Sequence, residues 1–229
     1  MNQLFRIQPR DPVIARDGRP FGDSGNAGGN RQKSLAWPLP STFVGAIRTI
    51  VGQQTGLPFD AQLITRLKEI AFRGPLPVSD DRLFVPAPND ALCTRCGDSV
   101  RCRPEQFAGT DLPNGLSPVV PPDADALQKF AEPPAWWSID KFTAWALGTE
   151  TSDFFRDTSE FRQAAVIDER THVKILPHSY AAEAHQLFST QGLVLDALCE
   201  SDTIFHSASL VADVSSPDSQ LTAILQQIH

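Results

Sequence analysis

The sequence predicts an α+β fold built on a ferredoxin-like sheet, interrupted by a proline-rich insertion. Three observations point there. Short alternating segments of strand type are grouped unevenly with amphipathic helices, without the strict strand–helix repeat of a doubly wound sheet. The 19 prolines among 229 residues argue against a helical bundle and for many loops and short strands. The order strand, helix, strand, then strands and a terminal helix fits a split βαβ arrangement. With 41% apolar and 21% charged residues, the chain can build a full core as one large domain or two small ones.

Each element has its own signal. Residues 4–7 alternate as a strand, and Pro12, Val13 and Ile14 extend it after a break. Residues 18–31, with Gly18, Gly22, Gly25, Gly28 and Gly29, read as loop. Pro38-Leu39-Pro40 cannot lie inside a helix, so Ser41 or Thr42 is expected to cap one. Its apolar face is Phe43, Ala46, Ile47, Ile50 and Val51, and Gly52 or Gly56 ends it. Residues 60–70 form a second helix on Leu63, Ile64 and Leu67. Residues 70–72 and 82–85 are strands separated by a proline-rich turn. Residues 86–138 are the least regular part, with one short helix expected at 124–130. Ser138 caps a helix over 139–147 that Gly148 stops. Residues 172–176, 186–189, 193–198 and 210–212 read as strands, and Asp218 or Ser219 starts a last helix running to Ile228. The expected organisation is therefore residues 1–85 as the first part of the ferredoxin-like domain, 86–138 as insertion, and 139–229 as the rest of the domain.

The charge is uneven. The chain carries a net −7, yet residues 1–52 alone hold seven Lys or Arg against three Asp, a balance of +4. A basic N-terminal quarter on an acidic body marks a local anion site. Arg16, Arg19, Arg31 and Lys33 bracket the glycine-rich loop, and long cations around pliant backbone suit phosphates. Gly22 and Gly25 allow backbone to approach an anion, although no Gly-Lys-Ser/Thr follows and no dinucleotide fingerprint is present. A mobile hairpin tip is the open alternative. Arg48, on the helix after the Trp37-Pro38-Leu39-Pro40 turn, either reaches the same site or is simply exposed.

Two further clusters carry chemistry-bearing side chains. Cys93, Cys96 and Cys102 have part of a zinc-knuckle spacing, but no fourth ligand is near in sequence. Free thiols in a surface insertion are the alternative, and no other cofactor is expected. His172, His178 and His185 follow Asp168 and Glu169 and are compatible with a metal site, a general base or a half-exposed sheet edge. On a strand, Arg170, His172 and Lys174 share a face that suits an anion. No N-terminal apolar segment or membrane-length apolar run occurs in the sequence, so a cytoplasmic protein with reduced thiols and no membrane partner is expected.

Several blocks together resemble one family. They are Arg16-Asp17-Gly18-Arg19-Pro20-Phe21-Gly22, Trp37-Pro38-Leu39-Pro40-Ser41-Thr42 with Gly45-Ala46-Ile47-Arg48-Thr49, Phe84-Val85-Pro86-Ala87-Pro88-Asn89-Asp90, and Trp136-Trp137-Ser138. Then come Arg170-Thr171-His172-Val173-Lys174-Ile175, Leu187-Phe188 and Gly192-Leu193. In this order they resemble the crRNA 5′-handle-binding subunit of the type III-B CRISPR Cmr effector complex, a member of the RAMP superfamily. The resemblance implies a ferredoxin-like (RRM-like) RAMP fold that binds crRNA without cutting it. It also implies partners: the large polymerase-palm subunit and the backbone subunits, which this subunit joins in antiviral defence. By the same resemblance Arg16, Arg19, Phe21, Gly22, Gly25, Arg31, Lys33, Arg48, Arg170, His172 and Lys174 fall at or near the RNA. Some RAMP relatives are endoribonucleases that process crRNA, which would make His172 or His178 a base. The chain departs from the family where Leu176 replaces an acid and Ala184-His185 replaces Glu-Gly. Members usually continue into a glycine-rich loop and further strands, so a C-terminally shortened form is expected.

Overall fold

The computed structural model describes residues 2–16, 30–94, 97–105, 112–113, 116–121, 130–151, 153–196, 204–205 and 207–228. In chain order its strands are β1 (Asn2–Ile7), β2 (Asn30–Arg31), β3 (Ala71–Ser79), β4 (Arg82–Pro86), β5 (Ala91–Cys93), β6 (Ser99–Arg101), β7 (Arg103–Pro104), β8 (Val119–Val120), β9 (Trp136–Ser138), β10 (Phe161–Arg162), β11 (Val166–Ile175), β12 (Ala182–Val194) and β13 (Ser209–Ser215). The helices are α1 (Pro40–Gln54), α2 (Ala61–Lys68), α3 (Ile139–Leu147) and α4 (Ser219–Leu225). The class is α+β with mainly antiparallel pairing. The chain divides into two compact units. One comprises residues 1–80, 165–198 and 206–229; the other comprises 81–164 and 199–205.

In the first unit β13 lies antiparallel between β1 and β3. The outer two are therefore parallel, and α1 and α2 connect them, which is a split βαβ arrangement. Phe5, Phe72, Ala212 and Val214 from the sheet meet Ile47, Val51, Leu63, Leu67, Leu221 and Leu225 from the helices. This core follows the helical spacing of Ile47 and Val51 and of Leu63 and Leu67. Ile50 and Ile64, expected on the same faces, are exposed.

The start of α1 corrects the sequence reading. Leu39 stands at the cap in extended conformation without a side-chain bond, and Pro40 is already helical. Proline fits the first turn because its missing N–H has no partner there anyway. Gly52 lies inside the helix: a Cβ there would meet the Phe59 ring at 2.5 Å. The left-handed Gly56 (φ 68°) follows the helix end instead. Asp60 caps α2 by accepting from Leu63 N at 2.8 Å.

The prolines around residue 75 also differ from expectation. They form no turn but lie within β3. Arg73 faces Asp213 and Leu76 faces Val211, so Gly74 and Pro75 stand against Ala212 alone, a β-bulge. Gly74 (φ 123°) is required because a Cβ would sit 2.8 Å from the Val211 carbonyl oxygen. The Trp37 indole N–H donates to the Pro75 carbonyl at 2.9 Å. Strand proline is tolerated at such irregular positions because fewer ladder N–H groups are needed. The turn comes later, at left-handed Asp80 and Asp81.

The second unit contains β4, β9 and β10, with β9 paired to both others. Trp136 to Ser138, expected at the end of an irregular insertion, is thus a sheet strand. Trp137 is fully buried among Trp145, Phe154, Phe155 and Phe161. Ser138 caps α3 through Lys141 N at 3.2 Å, and left-handed Gly148 ends it, both as the sequence predicts. The short pairs β5–β6 and β7–β8 order part of the insertion. The helix expected at 124–130 lies almost entirely outside the described residues. Among the described residues no helix is long and apolar enough to cross a membrane.

Candidate nucleic-acid interface

A second sheet of the first unit, ordered β11–β12–β2, gathers most of the described candidate residues. The two strands read from the sequence at 186–189 and 193–198 are one, β12, because Gly192 continues the ladder opposite Asp168. Pairing sets Asp168 opposite Gly192, Arg170 opposite Thr190 and His172 opposite Phe188. Alternation places these six on one face. The His172 ring stacks on Phe188 with centroids 5.1 Å apart and planes at 19°. Its Nε2 lies 2.9 Å from Thr190 Oγ1.

The two ends of the glycine-rich segment dock on the same strand. Asn30 and Arg31 run parallel to Phe188 and Ser189. Gln32 N donates to the Ser189 carbonyl at 2.9 Å. On the other side, Val13 does not extend β1: it exchanges backbone bonds of 2.9 and 2.8 Å with Leu193. Arg16 then bridges to Ser34, and Leu35 N donates to the Ala15 carbonyl at 2.7 Å. Gly192 permits this approach, since a Cβ there would lie 2.7 Å from Pro12 Cβ. The stem is well seated: Ala15, Gln32 and Leu193 are all buried.

Arg16 and Lys33 therefore stand exposed on the stem, beside the sheet that carries Arg170 and His172. The backbone of Arg31 is on β2. Arg19, Phe21, Gly22 and Gly25 lie outside the described residues. The strand cations are partly neutralised within the chain. Arg170 Nε lies 2.6 Å from Asp168 Oδ2, and Lys174 Nζ lies 2.6 Å from Glu183 Oε2. Arg48 is spent elsewhere: its guanidinium donates to the Lys68 and Ile70 carbonyls at 2.7 and 2.9 Å, tying α1 to the end of α2. Trp37 is likewise committed to the β3 bulge.

Between stem and sheet runs a cleft of about 320 Å³. Its walls are Pro12, Ile14, Phe188 and Gly192, and its polar groups are Asp11, Asp168, Arg170, His172 and Thr190. Asp11, Pro12, Ile14, Phe188 and Thr190 escape sequence reasoning as site residues. Phe188 and Thr190 carried a usable signal, the two-residue alternation toward Gly192. The role of Pro12 and Ile14 depends on a contact across some 180 positions that no local pattern reveals.

His172 and His178 do not converge, and the His185 side chain lies outside what is described. His178 stands in the turn between β11 and β12, away from the ladder position of His172. Nor do Cys93 and Cys102. Cys93 pairs with Ser99, whereas Cys102 N bonds the Asp90 carbonyl past the other end of the β5–β6 hairpin. At about 3.3 Å per strand residue their positions are separated by three residues along the ladder. Burial pushes both thiols up. Cys96 lies outside the described residues.

A family model described as CRISPR-associated protein (Cas_Cmr3) matches residues 5–227, and the chain belongs to that family. Similar solved structures include a subunit of the type III-B Cmr-beta complex bound to cognate target RNA and AMPPnP, at 12% identity and a TM-score of 0.47. The same complex bound to cognate target RNA gives the same identity and TM-score. Each match covers 96% of this chain but only 56 or 57% of the solved one. No curated protein is similar in sequence.

Proposed function

We propose that this Cas_Cmr3-family chain is a non-catalytic RNA-binding subunit of a type III-B CRISPR effector complex. It holds the repeat-derived 5′ end of the guide RNA and joins the large polymerase-palm subunit to the backbone subunits. One observation carries the reading beyond family membership. The stem of the basic, glycine-rich segment is docked on β12, next to the His172 strand about 140 residues away. This brings the stem of the basic N-terminal quarter and the Arg170–Ile175 block onto one sheet. Phosphate contacts from Arg16, Arg31 and Lys33 would supply the salt-dependent part of binding. A ferredoxin-like architecture is supported by the split βαβ arrangement of β1, β13 and β3, followed by α4.

The non-cutting role is supported by the state of His172. Its ring is stacked and its Nε2 is engaged by Thr190. Incubation with repeat RNA in EDTA tests this: discrete cleavage that disappears in His172→Ala would replace the proposal with an endoribonuclease. The binding role is tested with Arg16→Glu plus Lys33→Glu. Guide-RNA affinity is expected to fall about tenfold or more at 0.1 M salt, and the salt slope to shrink by about 0.7 per lost contact. Unchanged affinity in a folded double variant sinks the placement.

A further inference from the structure

We infer that the cleft between the N-terminal stem and the β11–β12 ladder is a nucleobase pocket selective for guanine. The inference rests on the RNA-binding reading and names what this part of the surface reads. The cleft is poorly suited to a phosphate. Asp11 and Asp168 face it against one guanidinium, Arg170, and that guanidinium already holds Asp168. A bound phosphate would meet two carboxylates and repel them. A base meets a different surface. Pro12, Ile14 and Phe188 give apolar contact for a flat ring, and the His172–Phe188 stack adds an exposed aromatic face. Unpaired bases of single-stranded RNA are held in this way, by stacking and by bonds to their edges.

The polar rim then chooses among bases. Asp168 and Arg170 are two apart on the same face of β11 and bond each other at 2.6 Å, so an acceptor and a donor stand side by side at the rim. Among the described residues, Arg170 Nε and Asp168 Oδ2 bond only each other; the other carboxylate oxygen and the two terminal amino groups bond nothing else. Guanine presents the complementary pattern: N1–H and N2–H₂ donors on one edge, O6 and N7 acceptors on the next. Uracil has no amino group for a carboxylate, and cytosine offers only its N4–H₂ where guanine offers N1–H and N2–H₂ together. Adenine lacks an acceptor where O6 would meet the guanidinium. Asp11, which has no bonded partner among the described residues, is a second acceptor at the rim.

The test uses the full 229-residue chain and four labelled RNA octamers, oligouridine with one central G, inosine, A or C. The G octamer is expected to bind about tenfold more tightly than the A or C octamer, the discrimination typical of a good two-point contact. Inosine, lacking N2–H₂, should fall between. Asp168→Asn should abolish the preference, read as the ratio of G-octamer to A-octamer affinity in the same variant. Asp11→Asn, at an exposed loop residue, should reduce it and guards against a folding defect in the first variant. Equal affinity of the folded wild type for all four octamers overturns the pocket but leaves RNA binding standing. Failure to bind any octamer at low salt overturns both.

Discussion

Adding a single methyl group at Gly192 should undock the stem. Gly192 has no left-handed backbone, so alanine carries no conformational penalty there, only a steric one. Its Cβ would lie 2.7 Å from Pro12 Cβ and 3.4 Å from the Pro12 carbonyl atoms. Carbon atoms prefer about 3.5–4.0 Å, so the stem must move off by about 1 Å. Such a shift breaks the reciprocal Val13–Leu193 bonds of 2.9 and 2.8 Å. Two backbone bonds at about 1 kcal/mol net each amount to about 2 kcal/mol, a factor of about 30 in the docking equilibrium. Hydrogen exchange at the Val13 and Leu193 amides should accelerate, and guide-RNA affinity should fall by up to that factor. Gly45→Ala is the matched control, because a Cβ there meets nothing within 4 Å inside α1. It should stabilise the chain by about 0.5–1 kcal/mol and leave RNA affinity alone. The reasoning is refuted if both amides stay protected in Gly192→Ala, or if the two variants lose affinity equally.

Other substitutions separate fold from site. Trp37→Phe strips the bulged Pro75 carbonyl of its donor, costing about 1–3 kcal/mol; calorimetry should record a fall of about 2–4 °C per kcal/mol, and an unaltered melting point would remove Trp37 from the bulge. Arg48→Met loses two charge-assisted bonds to the Lys68 and Ile70 carbonyls and should lower thermal stability with RNA affinity intact. The opposite pattern, weaker binding at unchanged stability, would return Arg48 to the RNA. Asp218 caps α4 and pairs with Arg66 at 2.8 Å, and the Arg66 hydrogen bond holds its carboxyl below the usual carboxylate value. Because the folded value is depressed, its contribution is complete above about pH 4 and disappears as pH falls through the folded value. Urea midpoints between pH 7 and pH 3 should therefore fall less steeply in Asp218→Asn than in wild type, and parallel curves would count against the pair.

Elements whose signals are local were legible. Ser138 and Gly148 mark α3 because a hydroxyl cap and a left-handed stop act within one turn of the helix. Asp60 and Asp218 mark α2 and α4 for the same reason. Signals that depend on a distant partner misled. Gly74-Pro75-Leu76-Pro77 has the composition of a turn, and only β13 on one side and Trp37 on the other make it a bulged strand. Pro12-Val13-Ile14 alternates like the end of β1, yet its partner is Leu193. In the candidate site, Arg170 and His172 were legible from strand alternation, and Arg16 and Lys33 from the charge of the N-terminal quarter. Their convergence was not, because it is made by one close approach at Gly192.

The acidity of the chain and an RNA-binding role are compatible once the cations are sorted by what already occupies them. A net charge of −7 opposes long-range attraction of a polyanion. Arg170 and Lys174 do little to offset it, since carboxylates of the chain hold them. Arg10 and Lys33 make no ion pair among the described residues, and both stand on or beside the stem. Phosphate attraction is therefore concentrated at the stem, while the ladder face is close to neutral and partly aromatic. A backbone held at one edge can then lay its bases over a surface that would repel phosphate. On the proposed reading, the carboxylates Asp11 and Asp168 would orient the RNA as well as read it, because they would disfavour every pose that turns the backbone inward. Specificity at such a site depends on keeping these acids, although a simple count of charge would treat them as obstacles to binding.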